Sequence, residues 1–162
     1  MKKTIRSVLI MANTQKADAG RMISDIQERL EGRGLAVSVC RFTGESFKED
    51  IPAADLAISL GGDGTVLFCA RLLAGRGIPI LPVNLGSFGF ITEVAASEWY
   101  QVFCDYEQGR VADYQRLMLR ARVIRDEKVL CEHIGLNDVA VAGAGISNLV
   151  SVAVAVTGGR LG

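Results

Sequence analysis

The feature that most constrains this chain is a glycine-rich pentapeptide between an apolar run and a helical pattern. Leu56-Ala57-Ile58-Ser59-Leu60 is typical of a buried strand, and Gly61-Gly62-Asp63-Gly64-Thr65 follows it directly. Apolar residues at helical spacing then continue to Leu73. A strand that passes through glycines into a helix places N–H groups and the positive end of a helix dipole at the carboxyl edge of a parallel sheet. The pentapeptide therefore predicts a phosphate-binding loop.

Asp63 is the unusual residue in such a loop. A carboxylate beside a phosphate site is unfavourable unless it binds Mg²⁺ or takes a proton from an attacking hydroxyl. The glycines are expected to allow positive φ and close approach of a ligand to the backbone. Asp-Gly also favours a simple tight turn in any fold. The string is neither the Walker pattern nor a G-x-G-x-x-G fingerprint. We therefore interpret Asp63 as a residue that takes part in the chemistry of the site.

The rest of the first two thirds of the chain alternates strand and helix patterns. Strands are predicted at Ser7–Ala12, Leu35–Cys40, Leu56–Leu60 and Ile78–Val83, the last with an irregular or edge-like path because of Pro79 and Pro82. Helices are predicted at Asp18–Arg33, after the glycine loop, and at Ser97–Gly109 with Ser97 as N-cap. Thr43–Ala54 is predicted to be a loop with a possible helical turn. This order indicates an α/β fold with a Rossmann-like open sheet.

Beyond residue 111 the patterns are those of β structure. Strands are predicted at Leu117–Arg125, Lys128–Glu132, Leu136–Ala142 and Leu149–Val156, with a hairpin turn at Asp126-Glu127. We therefore predict two domains. Residues 1–111 form an α/β nucleotide-binding domain, and residues 112–162 form the beginning of an all-β domain.

Composition excludes several classes of partner. The chain has 162 residues, with 18 Lys and Arg against 18 Asp and Glu, so no basic field attracts nucleic acid or an anionic membrane. Its N-terminal apolar run is too short for a signal peptide or a membrane span. The four cysteines contain no C-x-x-C pair and lie among apolar neighbours, which predicts small core residues and a cytoplasmic protein: Cys40, Cys69, Cys104 and Cys131.

Three motifs in order resemble the NAD kinase family. Leu60-Gly61-Gly62-Asp63-Gly64-Thr65 is similar to the signature of a superfamily that also includes diacylglycerol and sphingosine kinases. Asn84-Leu85-Gly86-Ser87-Phe88-Gly89-Phe90-Ile91 resembles the NAD kinase stretch N-x-G-x-L-G-F-L, and Leu136-Asn137-Asp138-Val139 resembles its L-N-E-V. The second and third motifs favour NAD kinase over the lipid kinases.

The resemblance implies transfer of a phosphoryl group from ATP, or from inorganic polyphosphate, to the 2′-hydroxyl of the adenosine ribose of NAD, with Mg²⁺. Asp63 would be the catalytic base. Cofactor and substrate contacts would come from the phosphate path, from an adenine-stacking ring and from groups on the ribose and nicotinamide side: Gly62, Gly64, Thr65, Phe90, Asn137 and Asp138. No protein residue is assigned to metal. The resemblance also implies a homo-oligomer, dimer or tetramer.

Two alternatives to an active NAD kinase stay open at the level of sequence. One is a lipid kinase catalytic domain that shares the glycine loop, and the other is an inactive nucleotide-binding fragment. The family has Glu where this chain has Asp138, and it continues past the equivalent of Gly162 into further β structure. We therefore expect residues 1–162 alone to be inactive or nearly so.

Overall fold

The computed structural model describes residues 3–43, 50–86, 89–142, 152–156 and 159–161. Its main sheet has five parallel strands in the spatial order β2-β1-β3-β4-β5. The strands are β1 (Ser7–Asn13), β2 (Ala36–Phe42), β3 (Leu56–Gly61), β4 (Ile80–Asn84) and β5 (Val94–Ala95). Three helices accompany them: α1 (Ala19–Glu31), α2 (Asp63–Leu73) and α3 (Trp99–Glu107). The α/β class and the open parallel sheet are confirmed.

Helices cover both faces of this sheet. On one face, α1 and α3 pack on alternate residues of β1 and β3, and their buried side chains form one apolar cluster: Met22, Ile23, Ile26, Leu30, Trp99, Phe103 and Tyr106. On the other face, α2 packs through Phe68, Cys69 and Leu73. The central strands are buried on both sides, which explains why their sequences are continuously apolar.

The strand order reverses between β1 and β3. From β1 the chain passes through α1 to β2 on one side, and from β3 it passes through α2 to β4 on the other. At such a switch point the two connections diverge and leave a crevice at the carboxyl ends of the strands, where doubly wound sheets bind ligands. Asn13 ends β1 and the glycine loop follows β3, so both lie at this crevice.

Several predicted boundaries change in the structure. The N-cap of α3 is Glu98, so the prediction of Ser97 is wrong, and Glu98 instead accepts a hydrogen bond from the Ala95 amide through its carboxylate. Strand β4 is not an edge strand, because the short β5 pairs with its carboxyl end. The possible helical turn within 43–54 falls largely on residues 44–49, which lie outside the described residues.

The antiparallel part begins with a hairpin of β6 (Met118–Arg125) and β7 (Lys128–Leu136). Its turn at Asp126-Glu127 is confirmed, and both residues have positive φ, 48° and 61°. The prediction of separate strands at Lys128–Glu132 and Leu136–Ala142 is wrong, because one strand continues to Leu136 and residues 137–142 are not in a strand.

Two short strands complete the described antiparallel structure. They are β8 (Val154–Val156) and β9 (Gly159–Leu161), which pair with each other. The predicted strand Leu149–Val156 ends in β8. Its residues 149–151 lie outside the described part of the chain.

The cysteine prediction holds for Cys40 and Cys69, which are buried, but is wrong for Cys131, which is exposed on the hairpin. Among the described helices none is long and apolar enough to cross a membrane.

Candidate functional site

The glycine loop starts α2 at the crevice. Gly62 is the N-cap residue, and its carbonyl accepts hydrogen bonds from the amides of Thr65 and Val66. Asp63 is the first helical residue, so its carboxylate lies in the first turn, where the helix dipole favours negative charge. The predicted strand, loop and helix are therefore present in that order, with the loop at the carboxyl edge of the sheet.

Gly62 and Gly64 leave open space and do not have unusual backbone angles. Among the glycines of the loop, Gly61 has positive φ, at 159°, whereas Gly62, at −115°, and Gly64 do not, so the expectation of positive φ holds only for Gly61. A methyl group at either position would meet no protein atom within 4 Å, so both positions are open to a ligand. Gly61 differs, because a side chain there would overlap the buried Thr65, whose Cβ would be 2.8 Å away.

The Asp63 carboxylate is bonded to the loop between β4 and β5. Its Oδ2 accepts a hydrogen bond from the amide of Phe90 at 2.8 Å. Its Oδ1 accepts from the amide of Ile91 at 3.1 Å, the amide of Thr92 at 3.0 Å and the hydroxyl of Thr92 at 2.9 Å. The side chain predicted to be the base thus also fastens the loop that carries Phe90.

These contacts keep Asp63 ionised. Desolvation raises the pKa of its carboxyl group, but the Thr92 hydroxyl and the amides of Phe90, Thr92 and Ile91 together hold that pKa below its usual value. An ionised carboxylate orients a hydroxyl well, and it accepts the proton only once the hydroxyl has become acidic by bonding to phosphorus. The electrostatics therefore suit orientation first and proton transfer late.

Asn84 and Thr92 are site residues that sequence reasoning missed as such. Asn84 ends β4, and its side chain donates to the Thr92 hydroxyl at 3.2 Å and to the Thr92 carbonyl at 3.3 Å. Both residues are buried, at 5% and 1% exposure. Asn84 could have been noticed from its position at the end of a buried strand, beside the end of β3. A buried polar side chain there requires hydrogen-bond partners.

A cavity of about 330 Å³ is lined in part by the glycine loop, through Gly64 and Thr65 but not Asp63. It is bounded by α2, the ends of β1 and β2, and the end of β7, and its lining includes Gly64, Thr65 and Asp138. One wall is aromatic, with the rings of Phe42 and Phe68 4.4 Å apart. The Arg71 guanidinium lies 5.4 Å from the Phe68 ring centroid and brings positive charge to the same cavity.

The predicted site residues therefore fall into two groups. Gly64, Thr65 and Asp138 line the cavity, whereas Asp63 and Phe90, whose backbone amide is hydrogen-bonded to the Asp63 carboxylate and whose side chain is 95% exposed, are not among its lining. Asn137 is exposed next to Asp138, with φ 67° and its amide bonded to the Leu117 carbonyl. Its side chain is not among the cavity lining.

Comparison with known proteins identifies the family. Residues 9–111 match the model of the ATP-NAD kinase N-terminal domain. The chain belongs to the NAD kinase family. The matched range includes the glycine loop, Asp63 and Phe90, and it ends before Asn137 and Asp138. The recognition drawn from the three motifs is confirmed.

The relatives in this family cover nearly all of the chain. An NAD kinase of Treponema denticola is 37% identical over 155 residues, covering 95% of this chain and 55% of that protein. An NAD kinase of Geobacter sulfurreducens is 36% identical over 165 residues, covering 97% and 58%. The chain thus spans a little over half the length of these NAD kinases.

A solved structure also has a similar fold. The structure of yeast NADH kinase complexed with NADH aligns with a TM-score of 0.62, at 17% identity, over 82% of this chain and 47% of that one. At this identity the match supports the fold.

Proposed function

We propose that this chain carries the phosphoryl-transfer site of an NAD kinase. The observation that carries the proposal is that Asp63 connects the two groups of site residues. The next two residues, Gly64 and Thr65, line the cavity, and the Asp63 carboxylate bonds to the amide of the exposed Phe90. A donor on one side and an acceptor on the other would meet at this carboxylate.

The donor side suits a polyphosphate. Gly62 and Gly64 leave the start of α2 open, so phosphate oxygens can approach its N–H groups without meeting a side chain. The Arg71 cation and the aromatic wall of the cavity suit a charged phosphate chain with a planar base, as in ATP. Inorganic polyphosphate would contact only Arg71 and the glycine loop, and not the aromatic wall of the cavity.

The acceptor side suits the adenosine half of NAD. An exposed aromatic ring can stack on adenine, and Phe90 is linked to Asp63 by one hydrogen bond. Adenine on Phe90 would therefore bring the attached ribose close to the carboxylate. Asn137 and Asp138, with amide and carboxylate groups, can bind ribose hydroxyls and the nicotinamide amide. Because Asp138 lines the cavity, NAD would have to extend from Phe90 past Asp63 to reach them.

The reaction would be an in-line displacement at phosphorus. The 2′-hydroxyl oxygen forms the new P–O bond, the bridging P–O bond of the donor breaks, and the leaving phosphate keeps that electron pair. The hydroxyl proton passes to the Asp63 carboxylate and then to solvent. Positioning of the two substrates supplies most of the acceleration in such a transfer.

Magnesium would arrive with the donor. The described residues contain no cluster of three or more acidic, histidine or cysteine side chains that could hold a metal. Mg²⁺ in phosphoryl transfer is commonly held by substrate phosphates, water and one or two carboxylates, and Asp138 on the cavity wall offers one. The bound ion would neutralise charge on the phosphates.

We also propose that the protein is cytoplasmic and forms a homo-oligomer.

The test is NADP formation by the complete gene product, coupled to an NADP-specific dehydrogenase. We expect ATP- or polyphosphate-dependent NADP, and a loss of roughly 10²- to 10⁴-fold in kcat for Asp63→Asn. Asp55→Asn is the matched control, because Asp55 also accepts backbone hydrogen bonds, from Arg6 and Ser7, but at the amino end of the sheet.

The outcomes separate the candidate functions. Asp55→Asn should retain kcat. That result would show that removing a carboxylate that accepts backbone hydrogen bonds does not by itself abolish turnover. Full activity of Asp63→Asn would remove Asp63 from the base role. No NADP from the complete protein with either donor would contradict the kinase proposal and favour an inactive nucleotide-binding module.

A further inference from the structure

Thr92 connects two polar side chains at the centre of the site. Its hydroxyl oxygen is 2.9 Å from Asp63 Oδ1 and 3.2 Å from Asn84 Nδ2, and the residue is 1% exposed. The residues to which the three motifs assign roles do not include Thr92. Because it is buried beside the candidate base, any function must act through its hydrogen bonds.

The direction of these hydrogen bonds is fixed. Asn84 Oδ1 accepts from the Gly86 amide at 2.7 Å, so the opposite atom, Nδ2, is the amino group that faces Thr92. An amino group only donates, and a hydroxyl has a single proton. The Thr92 hydroxyl therefore accepts from Asn84 and donates to Asp63.

The result is an asymmetric carboxylate. Asp63 Oδ1 receives three donors, namely the Ile91 amide, the Thr92 amide and the Thr92 hydroxyl. Within the described residues Oδ2 receives one, the Phe90 amide. Oδ1 is saturated, and with respect to the described residues Oδ2 keeps a lone pair for another hydroxyl.

We propose that Thr92, oriented by Asn84, is a positioning residue that fixes the Asp63 carboxylate so that Oδ2 receives the acceptor hydroxyl. This inference rests on the proposed kinase function. The Thr92 hydroxyl holds Oδ1 in place, and the same loop presents Phe90, so the base atom stays linked to the backbone that carries the adenine-binding ring. Thr92 itself does not touch substrate.

The decisive variant is Thr92→Val, which keeps the shape and removes the hydroxyl. Asn84 Nδ2 retains the carbonyl of residue 92 as a partner, and the amide bonds to Asp63 remain, so the fold has support without the hydroxyl. Thr92→Ser is the matched control, because it restores the hydroxyl. Asp63→Asn serves as the reference for loss of the base.

We expect Thr92→Val to lower kcat roughly tenfold, the cost of one hydrogen bond to a charged group. The Thr92 hydroxyl helps to lower the pKa of Asp63, so its removal raises that pKa. The carboxylate then takes up a proton at a higher pH, and the fall of kcat/KM on the acid side should begin at a higher pH. Thr92→Ser should behave as the original protein.

A second measurement does not depend on turnover. The ¹³Cγ resonance of Asp63, assigned by its absence in Asp63→Asn, can be titrated in the original protein and in both Thr92 variants. We expect a higher titration midpoint in Thr92→Val and an unchanged one in Thr92→Ser. Circular dichroism melting should show that all three proteins are folded.

Each outcome bears on one claim. An unchanged kcat, acid limb and ¹³Cγ midpoint in Thr92→Val, with Asp63→Asn inactive, would overturn the role of Thr92 and leave the kinase function standing. Equal losses in Thr92→Val and Thr92→Ser with no midpoint shift would show a packing role only, which also overturns it. Full activity of Asp63→Asn would instead reject the base on which both proposals depend.

Discussion

At the scale of single residues, Gly89 shows how closely the loop and the carboxylate fit together. A side chain on Gly89 would overlap the Asp63 carboxylate group, contacting both oxygens and Cγ. We expect Gly89→Ala to displace Asp63, lowering stability by about 1–3 kcal/mol through overpacking. Activity should fall roughly 10²-fold, because a misplaced base loses its alignment with the acceptor.

Gly20→Ala is the control for Gly89→Ala. A methyl group at Gly20 would meet nothing within 4 Å, and the residue lies in α1, so alanine should leave stability unchanged or slightly higher. Thermal melting and the coupled NADP assay measure both effects. Normal activity in Gly89→Ala would mean that Asp63 does not need its observed position for turnover.

At the scale of elements, α3 depends on its buried aromatic face. Phe103 is 0% exposed, and its ring centroid lies 6.5 Å from that of Trp99 within the cluster that covers β1 and β3. Phe103→Ala should lower the free energy of unfolding by about 3–5 kcal/mol, since it removes a large core side chain and leaves a cavity.

The matched substitution for Phe103→Ala is Phe90→Ala. Phe90 is 95% exposed, so its removal should change stability by less than about 0.5 kcal/mol. Urea denaturation of both variants provides the comparison. A similar loss of stability in the two proteins would contradict the assignment of Phe103 to the core and of Phe90 to the surface.

The helical spacing that identified α3 shows what the sequence can predict about elements. Trp99, Phe103 and Tyr106 recur at helical spacing, and the structure buries all three. The apolar runs of β1 and β3 were equally clear, because strands buried on both faces need no polar positions. Strand β5 has two residues and so carries no periodic pattern that could have predicted it.

The candidate site was predictable in part for a similar reason. Glycines at a strand-to-helix junction predict a phosphate-binding loop by their own chemistry, so the region of Asp63 could be singled out from the sequence. The partners of Asp63 could not, because Thr92 is 29 positions away and three of the four donors are backbone amides. Backbone amides are present at almost every residue, so no residue type marks them.

At the scale of the whole molecule, burial is concentrated before residue 107. In the described part of the chain, the last buried residue is Tyr106, and both apolar clusters lie within the parallel sheet and its helices. Residues 108–117 are all exposed and belong to no helix or strand. The boundary near residue 111 stays a prediction, and this exposed segment makes it testable.

Limited trypsin digestion should first cut this connecting segment at Arg116. The alternative site, Arg110, is tied to α3, because its amide and guanidinium bond to the carbonyl and carboxylate of Asp105. Asp113 is held by the Lys3 ammonium group at 2.5 Å. Arg116 is exposed beyond both of these anchors, so its backbone can enter a protease more easily.

After this cut the fragment that ends at Arg116 should keep a cooperative thermal transition, because it retains both apolar clusters. Mass spectrometry identifies the cut, and calorimetry follows the fragment. Arg116→Gln should slow the first cleavage, whereas Arg110→Gln should not. Early cutting inside the helices or strands of residues 3–107 would contradict the prediction that the connecting segment is the most accessible part of the chain. Loss of the transition after the cut at Arg116 would show that the hairpin is needed to hold the parallel sheet together.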